Sequence, residues 1–536
     1  MSDYSPEPDP DWYDADTSSS ASETHTQQSS AQTVISPTDE TLVLNGGWFR
    51  RFFQRSSTQL NTEPRALQFE EAFGIENPQY HDAWAGALFL ITVAGFAALS
   101  GVVMDRYARG KDFQGHGVND ATNTIALDLN TISLITFIVP VSLSCSTIFF
   151  QLFLFFSEKF IWVAGILNVA FGLGTGLFYL ARKQWAGGGT FLGFGLFALV
   201  YFMSWIPRIP YSSVLLRTSA TVNRRHMAVT PFTLIGGFLV TIFMMLFSVT
   251  LITAYVAFEP NTQRSNSLCA VNGCSPKIAV LLTSFITFAG YWITEWMKNT
   301  IHTTVAGVFG SWYYHGGNST NMPKAPIRGA LKRSLTYSFG SICLGSLLVP
   351  PVNMLRQLCS ISKHERTSRT NIIGAVGSRV LRGVMDSLRC VIRYFNRYAF
   401  CHIALYGDAY VPSAKATWQT MEDRGIDALV NDSLVGAALS MGSLFVAYFS
   451  AFLSYVYLQY TSPDYNNHGQ FTSPVMAYAF ICGFQISKVF MAPVSSGVDS
   501  LFVSIARDPD VLLSAHPDLW ESLLVVYPRA EYVLQA

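Results

Sequence analysis

Blocks of about 20 apolar residues, separated by short polar segments, recur along the chain after residue 80. A bilayer core is crossed by roughly 20 residues of α-helix. Lipid offers no partners to backbone polar groups, so these blocks predict transmembrane helices. The long blocks are Trp84–Met104, Ile132–Phe156, Phe160–Ala181, Gly188–Ile206, Phe232–Phe258, Ile278–Met297, Leu335–Leu358, Val435–Leu458 and Thr472–Ala492. Ile301–Tyr314 is a shorter, tenth candidate.

Lysine and arginine between the blocks predict the orientation, because cytoplasmic loops are enriched in them. Four arginines (Arg50, Arg51, Arg55 and Arg65) precede the first block, and the segments 207–230 and 359–397 are also basic. All three segments fall on the cytoplasmic side only if Ile301–Tyr314 crosses the membrane. The pattern therefore predicts about ten transmembrane helices with both termini in the cytoplasm.

The ten-helix arrangement leaves some basic residues on the outer side. These are Arg182, Lys183, Lys324, Arg328, Lys332 and Arg333. The sequon Asn318-Ser-Thr falls on the same side, where it is a candidate glycosylation site. The alternative is a chance match, because a three-residue sequon is common.

The polar segments divide the chain into three parts. Residues 1–80 are a cytoplasmic tail and juxtamembrane segment, and residues 1–45 have too few aliphatic side chains to fold. Residues 81–495 form the transmembrane domain, which includes a cytoplasmic helical insert at 359–431. Residues 496–536 are a cytoplasmic tail with little structure of its own.

The insert carries an amphipathic pattern over 371–397, where apolar residues recur every three or four positions. Arginines on the other faces suit a helix on the anionic lipid of the cytoplasmic leaflet. The alternative is a helix packed beneath the bundle with solvated arginines. The following segment, 399–431, predicts one or two cytoplasmic helices broken near Pro412 and Gly425.

Composition supports this assignment, since 50% of residues are hydrophobic and 13% are charged. An ordinary soluble domain carries about 25% charged residues, so a soluble multidomain protein, a disordered chain and a fibre are excluded. Residues 1–49 contain nine acids and no lysine or arginine, so the rest of the chain is basic. The basic residues form no single face, which argues against binding of nucleic acid.

Two cysteines share the short loop between the fifth and sixth blocks. Cys269 and Cys274 fall on the outer, oxidising side of the predicted topology, so we expect a disulfide between them. A metal site is disfavoured because no histidine or further cysteine lies nearby.

Glycines are concentrated in the third and fourth blocks, at Gly172, Gly174, Gly176, Gly188, Gly189, Gly193 and Gly195. In lipid, small residues let helices approach closely. No strand precedes these glycines, so they predict close packing of two helices and not a phosphate-binding loop.

Candidate binding chemistry lies at the end of the sixth block. Glu295 is a carboxylate within or next to a membrane helix, where such a group is costly and usually faces a partner or a wet cavity. Tyr291 and Trp292 precede it by four and three positions and share its face. Aromatic rings beside a carboxylate suit a quaternary ammonium ion. The alternatives are an interfacial aromatic belt and a simple pair between Glu295 and Lys298.

Several segments together resemble the choline transporter-like family, in particular its fungal "pH nine-sensitive" branch. They are Thr303-Thr-Val-Ala-Gly-Val-Phe-Gly-Ser-Trp-Tyr-Tyr314, Ser338-Phe-Gly-Ser-Ile-Cys-Leu-Gly-Ser346, Ala404-Leu-Tyr-Gly407, Ser413-Ala-Lys-Ala-Thr-Trp418, Asp423-Arg-Gly-Ile-Asp-Ala-Leu429, Asn431-Asp432, Val498-Asp-Ser-Leu-Phe502 and Arg217-Thr-Ser-Ala-Thr-Val222. The resemblance covers residues 84–508 and implies ten transmembrane helices, a plasma-membrane location and transport of choline or a related amine. The short segment 105–130 departs from animal members, which carry a large cysteine-rich loop there.

The favoured hypothesis is a carrier for choline or a related organic cation that works by alternating access. It assigns the charge to Glu295, a cage to Trp292 and Trp312, and a rim to Tyr291 and Tyr313. The competing hypothesis is a membrane scaffold or sensor that acts through its tail and basic helix. No H-E-x-x-H motif, G-x-S-x-G triad or pair of intramembrane acids indicates an enzyme, and no cofactor is expected. The sequence sets no oligomeric state.

Overall fold

The computed structural model describes residues 69–75, 78–110, 129–181, 183, 185–258, 276–316, 323, 325–355, 383, 395–423, 433–461 and 472–528. Every regular element within these ranges is helical, as the apolar blocks predict. Cys269, Cys274, Asn318 and nearly all of the amphipathic segment 371–397 lie outside the described residues.

The helices follow one another with few intervening residues. In chain order they are α1 (Phe69–Ala72), α2 (Ala83–Gly110), α3 (Leu129–Phe155), α4 (Phe160–Ala181), α5 (Trp185–Trp205), α6 (Ile209–Arg225), α7 (Val229–Phe258), α8 (Pro276–His315), α9 (Pro326–Leu335), α10 (Phe339–Leu347), α11 (395–406), α12 (Tyr410–Asp423), α13 (Val435–Thr461), α14 (Thr472–Phe490), α15 (Ala492–Arg507), α16 (Pro509–Ala515) and α17 (Pro517–Val526).

The apolar helices pack side by side as a bundle. Within the described chain, six helices are long and apolar enough to cross a membrane, and two bent pairs raise the number to as many as eight. The bent pairs are α9 with α10 and its extension to Leu355, bent by 65°, and α14 with α15, bent by 42°. The protein is therefore an all-α polytopic membrane protein.

Close packing of α4 against α5 confirms the role predicted for the glycines. A Cβ atom at Gly176 would lie 2.7 Å from the backbone nitrogen of Leu192, and one at Gly195 would lie 2.9 Å from that of Leu173. The two backbones approach so closely that only hydrogen fits between them. Gly174 and Gly193 have no such neighbour within 4 Å, so not every glycine of the stripe is needed for packing.

The prediction that Ile301–Tyr314 crosses the membrane as a separate helix is wrong. These residues continue the sixth block without a turn, in the 40-residue helix α8. A helix rises 1.5 Å per residue, so α8 is about 60 Å long, roughly twice the thickness of a bilayer core. An unbroken helix cannot reverse direction, so its second half extends beyond the bundle.

The segment before α2 lies on the same side of the bundle as α9. Arg333 on α9 is buried, and its Nε donates hydrogen bonds to both carboxylate oxygens of Glu70, at 3.1 and 3.0 Å. Asp82, at the start of α2, accepts hydrogen bonds from the Ser341 hydroxyl at 2.7 Å and the Tyr410 amide at 3.0 Å. The ten-helix arrangement placed α9 on the opposite side from the N-terminal segment, and the structure overturns that placement.

The ten-helix arrangement set aside the basic residues of α9, whereas their position beside the arginine-rich N-terminal segment agrees with the enrichment of cytoplasmic loops in lysine and arginine. One of these residues does not face the solvent. Arg333 is instead neutralised inside the protein, where its Nη1 also donates to the Ala404 and Leu405 carbonyls at 2.7 and 3.2 Å. Its charge therefore also serves a structural contact between α9, α1 and α11.

A layer of short helices covers the end of the bundle at which α2 begins. It contains α6, α11, α12, α15, α16, α17 and the second half of α8, which pack against one another. The segment 207–230, expected as a loop, is mostly helix α6. The break expected near Pro412 lies at Gly407, which adopts a positive φ of 74° between α11 and α12.

The C-terminal segment is also structured, contrary to expectation. Helix α15 runs through the domain boundary expected at residue 495, and nearly all of its side chains from Pro493 to Ala506 are buried. Helices α16 and α17 bury Val511, Leu512 and Leu523 beside it. These apolar residues recur at helical spacing in a segment too short for a membrane span, so they form a core within the layer.

Candidate functional site

All five residues predicted to bind the solute lie on α8, but the structure does not bring them together. Tyr291, Trp292 and Glu295 lie in the first half of the helix, whereas Trp312 and Tyr313 lie near its end. Glu295 and Trp312 are 17 positions apart, which corresponds to roughly 25 Å along the axis. A single cage formed by all five side chains is therefore geometrically excluded in this arrangement.

Trp292 packs between helices. Its indole is 1% exposed, and its Nε1 donates a hydrogen bond to the Cys343 carbonyl of α10 at 3.0 Å. Its ring meets those of Phe89 and Phe288 at centroid distances of 5.4 and 5.7 Å. Protein side chains thus surround the Trp292 ring, and its indole N–H already has a hydrogen-bond acceptor.

Trp312 and Tyr313 hold the C-terminal helices against α8. The Trp312 ring stacks on His516 at a centroid distance of 4.2 Å, and the Tyr313 hydroxyl donates to the Asp508 carbonyl at 2.7 Å. Both side chains are buried, which accounts for these aromatic residues without a ligand.

Glu295 has a cationic partner one turn along α8. The Lys298 Nζ lies 3.7 Å from Glu295 Oε1, and the two side chains are 31% and 16% exposed. This distance is longer than a direct charged hydrogen bond, which is normally about 2.7–2.9 Å. The pair is therefore a loose ion pair, and Tyr291 lies on the same helical face, four positions earlier.

A cavity of about 110 Å³ lies between α3, α7, α8 and α14. Its wall is largely apolar and includes Met244, Met245 and Ile486. Its polar lining groups are Thr241, Ser248, Thr294, Lys298, Tyr478, Cys482 and Gln485. The residues from α7 come from the middle of that helix, so the cavity lies deep within the bundle.

Lys298 connects the cavity with Glu295, because it lines the first and pairs with the second. Sequence reasoning considered Lys298 only as a partner of Glu295, and it did not identify the lining residues of α7 and α14. Gln485 could have been noticed as a polar side chain inside an apolar block. Met244 and Met245 give no signal, because methionine is ordinary in a membrane helix.

A polar cluster connects α8, α11 and α15 at the layer side of the cavity. Arg397 donates to Asp499 at 2.5 Å, and the Arg397 carbonyl lies 2.9 Å from His302 Nε2. A carbonyl can only accept, so Nε2 carries the hydrogen, and Nδ1 lies 2.6 Å from the Ser496 hydroxyl oxygen. His302 follows Glu295 by seven positions, so the cluster lies about 10 Å further along α8.

Metal chemistry finds no support in the part of the chain that the structure describes. No group of three or more His, Cys, Asp or Glu side chains comes together there. The Cys401 Sγ does lie 3.5 Å from His302 Nε2, but burial raises the pKa of that thiol well above its ordinary value.

Comparison with known proteins gives a consistent picture over most of the chain. The sequence profile described as "Plasma-membrane choline transporter" matches residues 189–510. The chain is 46% identical to Protein pns1 of Aspergillus fumigatus over 92% of this chain and 93% of that protein. It is 44% identical to Protein PNS1 of Gibberella zeae, covering 87% and 86% of the two chains, and 34% identical to Protein PNS1 of Saccharomyces cerevisiae, covering 86% of each.

Proposed function

Because the chain belongs to the choline transporter-like family, we propose that it is a carrier that moves choline or a related organic cation through the cavity between α3, α7, α8 and α14. The observation that carries the proposal is a cavity inside the bundle whose wall includes Lys298, the ion-pair partner of Glu295. Ionisable residues within a membrane domain are costly, and they commonly mark the path of a solute.

The cavity suits a quaternary ammonium group better than a hydrogen-bonding cation. Such a group has no N–H donors, so it needs apolar surface for its methyl groups and a diffuse negative field. Met244, Met245 and Ile486 offer the surface, and the Tyr478 ring offers a π-face. Glu295 supplies the neutralising charge, as predicted. The lining side chains take the role that was predicted for the cage of Trp292 and Trp312.

Lys298 must be displaced for a cation to approach Glu295. With an empty cavity, the ammonium of Lys298 is the nearest positive charge to the carboxylate. A solute cation takes over that role, and Lys298 turns away on its flexible stem. The lysine thus keeps Glu295 neutralised while the carrier returns empty.

The break between α14 and α15 is the element that we assign to alternating access. Val489 of α14 lines the cavity, and Ser496 and Asp499 of α15 take part in the polar cluster with His302. The pair bends by 42° around Met491. Broken helices at the solute site are typical of transporters, and a movement here would connect the cavity with the layer side.

We assign the protein to the plasma membrane with both termini in the cytoplasm. The arginines before α2 favour that side for the N-terminal segment. The described C-terminal helices α15, α16 and α17 lie in the layer at the end where α2 begins, so both described ends of the chain share one side.

Uptake of labelled choline into proteoliposomes tests the proposal. We expect saturable uptake by the unmodified protein and a loss of at least tenfold in Glu295→Gln, because the counter-ion is gone. Glu422→Gln is the matched control, since Glu422 is exposed at the end of α12 and should leave uptake unchanged. Uptake equal to that of empty vesicles, from folded unmodified protein, would reject the carrier and favour the scaffold or sensor.

The role of Lys298 is tested separately by comparing net uptake with exchange. Lys298→Gln leaves Glu295 without a partner in the empty carrier, so we expect net uptake to fall about tenfold. Exchange of internal for external choline should persist, because a loaded carrier returns with its solute. Equal loss of both rates would contradict this role while leaving Glu295 as the counter-ion.

A further inference from the structure

Helix α6 packs at the ends of several apolar helices. It follows α5 through the short 3₁₀ turn Ile206–Arg208 and packs against α3, α4, α13, α15 and α17. Its buried face includes Ile209, Leu215, Leu216 and Val222. The opposite face is exposed, and it lies where two membrane-crossing helices, α3 and α4, are joined by a short turn.

The exposed face of α6 is basic. Arg217, Arg224 and Arg225 all point into solvent, and Lys159 is exposed in the turn between α3 and α4. Glu158 is the acidic neighbour, and its Oε1 lies 3.2 Å from Arg217 Nη1. Both side chains of this pair are about two-thirds exposed, at 68% for Arg217 and 61% for Glu158, so a stronger anion can compete for the arginine.

Large apolar side chains stand beside these arginines. Phe155, Phe156 and Met227 are 73%, 60% and 82% exposed, and the Arg224 guanidinium lies 6.0 Å from the centre of the Phe155 ring. Exposed apolar groups of this size are unfavourable in water but suit the boundary between lipid tails and headgroups. They place the arginines at the depth of the phosphate groups.

We propose that Arg217, Arg224, Arg225 and Lys159 form a binding site for the headgroup of an anionic phospholipid. Guanidinium groups match phosphate oxygens in pairs, and the neighbouring Phe155 and Phe156 contact the acyl chains of the same lipid. The combination of charge and apolar anchors selects a lipid over a soluble polyanion, which would contact the arginines and leave the phenylalanines in water. The site is independent of the solute cavity.

Native mass spectrometry of the full chain, exchanged from detergent into phosphatidylcholine vesicles with and without phosphatidylserine, tests the site. We expect the unmodified protein to retain phosphatidylserine in preference to phosphatidylcholine. The variant Arg217→Gln/Arg224→Gln/Arg225→Gln should lose this preference, by about fivefold for each arginine removed.

A charge-matched variant is the control. Arg328→Gln/Lys332→Gln/Lys415→Gln removes the same charge from exposed positions on α9 and α12 and should keep the preference. Glu158→Gln should strengthen it, because Arg217 is released from its acidic neighbour. An unchanged preference in the α6 variant, or an equal loss in the control, would overturn the proposal.

Competition separates the lipid from a soluble anion. We expect inositol hexakisphosphate to leave phosphatidylserine bound, since it offers nothing to Phe155 and Phe156. Displacement of the lipid by this polyanion at equal concentration would show that charge alone fills the site, and it would reject the lipid assignment.

Discussion

At the scale of single residues, one buried arginine joins three parts of the chain. Arg333 of α9 holds Glu70 of α1 and the carbonyls at the end of α11, and its guanidinium lies 4.7 Å from the centre of the Phe69 ring. A buried charge is tolerated only when it is paired and hydrogen-bonded, and here every side of the fork has a partner. Removing it leaves Glu70 and two carbonyls unsatisfied.

Arg333→Ala should therefore destabilise the protein by about 3–5 kcal/mol, the usual cost of breaking one side of a buried ion pair. Thermal unfolding in detergent measures the change. Arg328→Ala, on the same helix at an exposed position, should shift the melting temperature little. Similar shifts of the melting temperature in the two variants would show that the buried contacts of Arg333 do not stabilise the protein.

A second residue connects stability with pH. Arg507 Nη1 donates to His402 Nε2 at 3.2 Å, so that nitrogen must be unprotonated. Burial, aided by the Arg507 charge, lowers the pKa of His402 to about 3 from its ordinary 6.5. Asp408 approaches His402 Nδ1 to 3.8 Å and opposes this, but its carboxylate is half exposed and therefore screened.

The direction of the pH effect follows from proton binding. Below pH 6.5 the unfolded chain binds a proton at His402, whereas the folded protein binds it only near pH 3. The folded protein is therefore most stable above pH 6.5, and its free energy of unfolding falls on acidification. At pH 5 the loss is about 2 kcal/mol. His402→Gln keeps a hydrogen-bond acceptor for Arg507. This variant should show a weaker dependence of the melting temperature on pH in this range. His81→Gln, in the loop before α2, is the control, and an unchanged slope in His402→Gln would contradict the assignment.

At the scale of elements, the glycine stripe of α4 and α5 consists of two kinds of position. Gly176 and Gly195 touch the facing backbone, whereas Gly174 and Gly193 do not. Helix periodicity alone cannot separate them, because the contact depends on where the two axes cross.

Gly176→Ala should lower the melting temperature, because its methyl group would overlap the Leu192 backbone and push the helices apart. Gly174→Ala should be neutral or stabilising by up to about 1 kcal/mol, since alanine is the better helix former and has open space. Thermal unfolding of the two variants in the same detergent gives the comparison. Equal destabilisation would mean that the stripe as a whole is required.

At the scale of the whole molecule, the layer places widely separated segments on one side of the bundle. Helix α9, at residues 326–335, and helix α17, at 517–526, both belong to the side at which α2 begins. In the proposed orientation this is the cytoplasmic side.

Membrane-impermeant labelling tests this arrangement. Cysteines introduced at Lys332 and Glu521 should react from the same side in intact cells or sealed vesicles, with the sites resolved by mass spectrometry. A cysteine at Thr461, at the far end of α13, should react from the opposite side. Reaction of position 332 together with position 461 would restore the ten-helix arrangement and reject the one described here.

Sequence by itself determined that this is an all-α membrane protein, because lipid forces every apolar block into a helix. It also determined the family and the close approach of α4 and α5, since both depend on local residue identity. It identified Glu295 as a carboxylate within or next to a membrane helix, with a simple pair to Lys298 as the alternative to a cation site.

Only the tertiary structure decided how Ile301–Tyr314, Arg333 and the five predicted ligands are used. A turn that would make a short apolar block cross the lipid is absent from α8, and no local pattern reveals this. Whether a charge is solvated or neutralised depends on partners that are distant in sequence. For Arg333 these partners are Ala404 and Glu70, which lie 71 and 263 residues away along the chain. The cavity likewise exists only where side chains from four helices, distant in sequence, leave space between them.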